Sequence, residues 1–228
     1  MYKIETHCHT VYSSVCGHLH ALQILDLYKK EGYDAICITD HYNMQTYEMN
    51  NAENVADKEK AMFKGYLEVK DLSQFYDIEV ILGAEIRFNE NRNDYLVYGI
   101  TPGVLSNPKE ILEMGIVQFS EYAKQNNLVI IQAHPFRHHK HCIPVSHEFI
   151  NGYEGYNHHP RHNDFNEKAF ALSSKYNLIT ISSSDLHRST DEESMGGIKS
   201  AVLPRNSVDM AKILLSRDFT LYHKNAEN

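Results

Sequence analysis

Short apolar, β-prone runs alternate with helix-patterned segments along this chain, in the rhythm of βα units. The runs predict strands at Lys3–Thr6, Ala35–Thr39, Val80–Ile86, Tyr95–Ile100, Leu128–Ala133, Gly152–Tyr156 and Leu178–Ser182. The intervening pattern predicts helices at Ala21–Glu31, Ala52–Ser73, Pro108–Gln125, Asp164–Tyr176 and Val208–Ser216. Asn107-Pro108 and Asn163-Asp164 read as capped helix starts, and Gly32 and Asn127 as helix ends. Near the C-terminus, Ser200–Leu203 and Phe219–Tyr222 flank the last helix and read as peripheral. No repeat, low-complexity tract or Pro/Gly-rich linker interrupts the series. The 228 residues therefore read as a single α/β domain. With about seven inner strands, it has a length that a TIM-like barrel can use whole.

Five of the strand ends carry a histidine or a carboxylate: His7-Cys8-His9, Thr39-Asp40-His41, Gly83-Ala84-Glu85, Ala133-His134-Pro135 and Ser184-Asp185-Leu186-His187. Residues i and i+2 of a strand face one side, so His7 with His9, and Asp185 with His187, can share a centre. Imidazole and carboxylate are the donor set for zinc, manganese or iron. In parallel α/β barrels functional groups gather at the carboxyl ends of the strands, where all five motifs fall. Glu85, bracketed by Ile81, Leu82, Ala84 and Ile86, would be an uncompensated buried charge unless a cation sits beside it. A carboxylate bridging two metal ions answers that. A structural salt bridge would too, but few basic residues stand near the other strand ends. Any one histidine alone reads more simply as a hydrogen-bonded core residue; the set reads as a metal site.

Composition changes this picture little. Hydrophobic content of 42% and charged content of 23% are ordinary for a globular protein, but 15 histidines stand beside 22 lysines and arginines. A net charge of −8, without a Lys/Arg run, argues against a nucleic-acid partner held through its phosphates. No apolar run approaches the ~18 residues of a membrane span, and the N-terminus lacks a signal pattern. These features predict a cytoplasmic protein with no membrane partner. Cys8, Cys16, Cys37 and Cys142 lack CxxC spacing and read as free thiols. Cys8 and Cys16 lie close to candidate ligands, which leaves a metal role open to them, although Cys8 alternates away from His7 and His9.

Taken in order, His7-Cys8-His9-Thr10, Ile38-Thr39-Asp40-His41, Gly83-Ala84-Glu85, Ala133-His134-Pro135 and Ser184-Asp185-Leu186-His187-Arg188 resemble the motifs of the PHP (polymerase and histidinol phosphatase) family of metal-dependent phosphoesterases. The resemblance covers nearly the whole chain. It implies a distorted (β/α)7 barrel holding two or three divalent ions: zinc, manganese or iron. One ion would take His7, His9, Glu85 and Asp185, and a second would share Glu85 and use His134. A third would take His41, His187 and a histidine after the first motif, here His18, with His20 the fallback; this segment is similar to the family's Cys-x-His pattern. The chain departs from the family at Asp94-Tyr95-Leu96-Val97-Tyr98-Gly99, where many members carry a histidine at the first position. Asp94 either binds the second ion or caps the strand. The implied reaction is phosphate-ester hydrolysis by a hydroxide bridging the Glu85-linked ions, which makes Glu85 catalytic as well as a ligand. A proofreading nuclease shares the family, but the acidic charge and the short chain, with little room for a substrate-capping insertion, favour a small phosphomonoester.

Arg137 and Arg188, close behind the fourth and fifth motifs, are placed to reach over the mouth and grip phosphate in a forked fashion. The clusters Arg137-His138-His139-Lys140-His141 and Asn157-His158-His159-Pro160-Arg161-His162 follow the fifth and sixth predicted strands. Asn157, which resembles an asparagine of the family, and His158 join the arginines as candidate substrate-binding residues; one of these histidines can protonate the leaving alcohol. Asp40 is expected to orient a histidine or to act as an acid or base. Other readings remain: a histidinol-phosphate phosphatase specifically, an amidohydrolase-like metal hydrolase, or a non-catalytic metal-binding regulatory module. The amidohydrolase commonly needs a lysine at a strand end, which none of the predicted strands has. The regulatory module predicts missing ligands.

Overall fold

The structure, a computed structural model, describes residues 1–138 and 141–224. In chain order the strands are β1 (Tyr2–Cys8), β2 (Ala35–Ile38), β3 (His41–Tyr42), β4 (Glu79–Leu82), β5 (Ala84–Ile86), β6 (Tyr95–Tyr98), β7 (Val129–Gln132), β8 (Gly152–Asn157), β9 (Ile179–Ser183), β10 (Gly196–Ser200) and β11 (Phe219–His223). The helices are α1 (Ala21–Lys30), α2 (Met44–Met49), α3 (Lys58–Met62), α4 (Lys64–Leu72), α5 (Pro108–Glu113), α6 (Gly115–Gln125), α7 (Asn166–Lys175) and α8 (Ser207–Ser216). No helix among the described residues is long and apolar enough to cross a membrane.

The fold is mixed α/β, with two sheets ordered β11-β10-β1-β2-β4 and β3-β5-β6-β7-β8-β9. The sheets run into one another, since β2 leads through Thr39 and Asp40 into β3, and β4 leads through Gly83 into β5. At the far edge Cys8 of β1 makes a parallel bridge to Leu186, just past β9, and Thr6 Oγ1 donates to Ser182 O over 2.8 Å. Most neighbours are parallel, but β6 is antiparallel to both β5 and β7. No helix lies between Ile86 and Tyr95, and without a crossover adjacent strands run antiparallel.

Several elements differ from their sequence reading, each for a local reason. The strand expected over Val80–Ile86 breaks at Gly83, where a side chain would collide with Thr39. The helix expected over Ala52–Ser73 divides into α3 and α4 after a 3₁₀ turn; Asp57 starts α3 by accepting from Lys60 N at 3.0 Å. The helix expected over Pro108–Gln125 breaks at Gly115, whose φ of +66° lies outside the helical region. Asp164 does not open α7, which begins at Asn166 after Phe165 in a left-handed conformation. Ser200–Leu203 is not a peripheral strand. β10 lies earlier, paired antiparallel with β1 and continued by β11. Gly32 and Asn127 do close their helices, at φ of 71° and 55°.

The strands form because their apolar residues are covered on the helical side as well. α1 buries Ala21, Ile24, Leu25 and Tyr28, the i, i+3, i+4, i+7 stripe, against Ile36, Ile38 and Val80. α8 covers Ile4, Ile81, Leu96, Ile131 and Ile181 with Met210 and Leu214. Each such side chain contributes ~1.5–3 kcal/mol. This apolar base leaves the carboxyl ends of the strands as the polar pole.

Candidate metal centre

β1 bulges where it meets β2: Glu5 opposes Ile36, Cys8 opposes Ile38, and Thr6 and His7 share the position between them. The buried Glu5 carboxylate accepts from the N–H groups of Thr6 (2.8 Å) and His7 (2.9 Å). Beyond the bulge, His7 Nε2 and His9 Nε2 stand 2.9 Å apart, while Cys8 packs into the apolar core. Asp185 Oδ1 lies 3.5 Å from His7 Nε2 and 3.3 Å from His9 Nε2. Glu85 Oε1 is 3.5 Å from His7 Nε2, and its Oε2 is 3.4 Å from His9 Nε2. Four donors around one ion with bonds of ~2.0–2.2 Å stand about 3.3–3.6 Å apart. His7, His9 and Asp185 bring donor atoms within 4.8 Å of one another, close enough to hold a cation.

Parallel register places His41 of β3 directly beside Glu85 of β5. His41 Nδ1 and Glu85 Oε2 approach to 2.6 Å, yet both are buried without a hydrogen bond. Buried polar atoms normally have partners, and these two face each other as an ion pair inside the cluster. His134 Nε2 lies 3.0 Å from Glu85 Oε1 and 3.6 Å from Asp94 Oδ2. Asp94 therefore reaches the cluster, and His41, Glu85 and Asp94 bring donor atoms within 4.8 Å of one another. Arg87, which the sequence reading passed over, also grips Asp94 through bonds of 2.7 and 2.8 Å. His134 and Asp185 have φ of 28° and 50°, a left-handed backbone that non-glycine residues seldom adopt; such strain gathers at functional sites.

The protonation pattern follows from these contacts. Burial pushes the Glu85 carboxyl up, but His41, His7 and His134 hold it well below the usual range. Asp185 is likewise held low against its burial, by His7, Arg137 and His187. Burial works against a charged His7, yet Asp185, Glu154 and Glu85 raise it well above the ordinary value. His41 rises to about 10, against burial, through Glu85 and Cys16. His9 falls, because burial and the neighbouring His187 and His41 oppose another positive charge.

The third group of donors departs from expectation. His9, His41 and His187 converge, but His18 does not join them: it is exposed, and its backbone N–H donates to His187 O over 2.9 Å. His20 is also exposed and caps α1 through Gln23. Cys16 occupies the place instead, with Sγ 3.2 Å from His41 Nε2 and 3.1 Å from His187 Nε2. Burial alone would raise its thiol pKa, but the bonds to His187 and His41 draw it down to about 5.

Three further expectations are corrected by what surrounds each side chain. Arg137 is 2% exposed and donates to Asp164 (2.6 and 3.0 Å) and to Asp185 Oδ2 (2.8 Å), so it braces a ligand rather than reaching over the mouth. Asn157 donates to Glu154 and to Asp185 Oδ2 at 2.9 and 3.0 Å, in the same bracing role. His158 turns away to His223, with Nε2 2.7 Å from its Nδ1, and its neighbour His159 joins Asp185 and His187 instead. Asp40 does not meet the donors. It accepts from Thr10 N and Oγ1, both at 2.6 Å, and from Ser14 Oγ at 2.9 Å. Burial raises its pKa to about 6. Ser14 passes its influence on, lying 3.0 Å from His9 Nδ1 and accepting from His41 N at 3.0 Å. Gly65 permits this packing: a methyl there would overlap both Asp40 and Thr10.

Glu154 of β8, missed in the sequence, ties the centre together. Its Oε1 is 2.8 Å from His7 Nδ1, and its Oε2 accepts from His134 N at 2.7 Å. A charge inside the strand run Gly152–Tyr156 was its signal, the same argument that singled out Glu85. Arg188 is exposed and lines a cavity of about 330 Å³ with Cys16, Arg137, His159, Arg161, His162 and His187. His139 and Lys140 of the other cluster lie outside the described residues.

The family model described as PHP domain matches residues 5–225. No curated protein matches the sequence. Among solved structures, a two-domain protein from Bacteroides vulgatus, described as containing a predicted PHP-like metal-dependent phosphoesterase, is 18% identical with a TM-score of 0.68. The match covers 97% of this chain and 64% of that one, so the chain spans under two thirds of that protein. PsfC from Pseudomonas syringae is 17% identical with a TM-score of 0.67, over 96% of this chain and 90% of that one. A lesion-specific endonuclease from Pyrococcus furiosus, EndoQ, is 15% identical with a TM-score of 0.58, over 96% of this chain and 57% of its own. At these identities the likeness is one of fold.

Proposed function

The chain belongs to the PHP domain family, and from that premise we propose that it hydrolyses a small phosphomonoester with the help of two or three divalent ions. The observation that carries this reading is Glu85: it is buried, faces His7, His9, His41 and His134, and has an oxygen without a hydrogen bond. His7, His9, Glu85 and Asp185 would hold one ion, and Glu85 and His134, with Asp94, a second. His41 and His187 would hold a third. Bound zinc, manganese or iron would supply Lewis acidity toward phosphate oxygens and a water of lowered pKa. The protein orients the donors: Glu154 accepts from His7 Nδ1, so that Nε2 turns its lone pair to the centre. Asp185 O does the same for His187 Nδ1, at 2.8 Å. Arg137 and Asn157 fix the second oxygen of Asp185. Arg188 stands at the cavity rim, free to meet phosphate oxygens with a forked guanidinium.

The cavity of about 330 Å³ suits a small ester, and the net charge of −8 disfavours a long polyanion. The Cys8–Leu186 bridge and the continuity of β2 with β3 support a single closed, distorted seven-stranded barrel as the frame. Metal analysis followed by p-nitrophenyl phosphate turnover with added manganese or zinc tests the activity. Metal content with turnover is expected; a preparation that stays metal-free and inactive after reconstitution overturns it. A panel of phosphorylated metabolites, with abasic DNA as an additional member, then separates the small-ester reading from a nuclease.

A further inference from the structure

We propose that Cys16 is a thiolate ligand of the third ion, completing a set with His41 and His187. The proposal rests on the metal reading above and names a donor that reading lacks: Cys16 is solvent-exposed, as His18 is, but its sulfur meets both rings. Three observations lead to it. Cys16 Sγ touches both Nε2 atoms, at 3.2 Å from His41 and 3.1 Å from His187. His187 donates its Nδ1 proton to Asp185 O, which fixes the ring so that Nε2 faces the sulfur. His41, 8% exposed, has an Nδ1 without a hydrogen bond that faces Glu85, so its ring stands between a carboxylate and a sulfur, two donor types that metals accept.

The alternative is a thiol that simply hydrogen-bonds to two imidazoles. A sulfur between two imidazoles without metal, as thiol or as thiolate, gives no sulfur-to-metal absorption on titration, whereas a thiolate on a cation satisfies the sulfur and both rings together. Zn–S bonds of ~2.3 Å and Zn–N bonds of ~2.0–2.1 Å put sulfur and nitrogen about 3.5 Å apart around one ion, close to the spacing found. Binding exchanges the thiol proton for the metal ion and releases that proton to solvent. A soft sulfur donor biases this position toward zinc and away from manganese.

The test titrates the metal-free full-length chain with cobalt(II). A sulfur-to-cobalt charge-transfer band in the near ultraviolet is expected. It should vanish in Cys16→Ser and persist in Cys142→Ser, while Cys8 and Cys37 are buried in the apolar core. Alkylation of Cys16 by iodoacetamide should slow at least about tenfold once cobalt is bound, and Cys16→His should keep the cobalt stoichiometry without the sulfur band. Cobalt bound without that band, or a band that survives Cys16→Ser, overturns the proposal and leaves the metal reading standing. Absence of cobalt binding to the parent chain overturns both.

Discussion

Two histidine clusters in this protein invite comparison. At the centre, His7, His41 and His187 each face a carboxylate: Glu154, Glu85 and Asp185. Behind β11, His158 and His223 face each other at 2.7 Å, with Tyr156 beside them and Ser182 Oγ 3.2 Å from His223. Burial opposes protonation in both. In the centre carboxylates overcome it, and all three histidines are raised. In the outer pair burial and the neighbouring ring prevail, and His158 falls to about 4. A wealth of histidine does not by itself gather positive charge; the carboxylates behind the rings do.

The comparison breaks most plainly at Glu85. Glu85→Ala should strip bound metal and lower kcat/KM by more than the ~10–100-fold typical of outer partners; full metal occupancy would show the bridge misassigned. Glu154→Gln keeps the shape but removes the charge behind His7. Metal affinity should fall ~10–100-fold in a competition titration, and an unchanged affinity would make Glu154 merely structural. Arg188→Ala should raise KM several-fold with bound metal unchanged, which steady-state kinetics beside metal analysis would settle.

The smallest effect belongs to the outer pair. The folded pKa of His158 lies below its ordinary 6.5, at about 4, because burial and His223 disfavour the charge. The unfolded chain therefore binds the extra proton first. The contribution to stability is fully present above pH 6.5 and is lost as pH falls toward 4. His158→Phe should flatten that part of the stability profile in urea melts while leaving metal content and turnover alone. A loss of metal would move His158 back into the site.

The converging donors were legible because each motif sits at a strand end, where register determines direction. The bracing layer was not. Glu5 and Glu154 lie within predicted strand runs, and only their buried charge marks them. Arg137 follows His134 closely enough to suggest the mouth, but Asp164, read as a helix start, turns it inward. The exchange of His18 for Cys16 happens in a loop, where no periodicity fixes which side chain points in. The antiparallel β6 did have a signal in the helix-free stretch before Tyr95, whereas the breaks at Gly83 and Gly115 depend on tertiary contacts and backbone conformation that pattern alone does not reveal.

Gly65 extends the reach of the centre beyond its donors. Its bare Cα lets the start of α4 press on Thr10 and Asp40, and its N–H donates to Ser13 Oγ at 3.0 Å, one residue before the serine that steadies His9 and His41. Any side chain at residue 65 must displace that loop. The tolerance of this position is thus set by side chains in another part of the sequence, and a substitution there is expected to disturb His9 and His41 before any loss of helix.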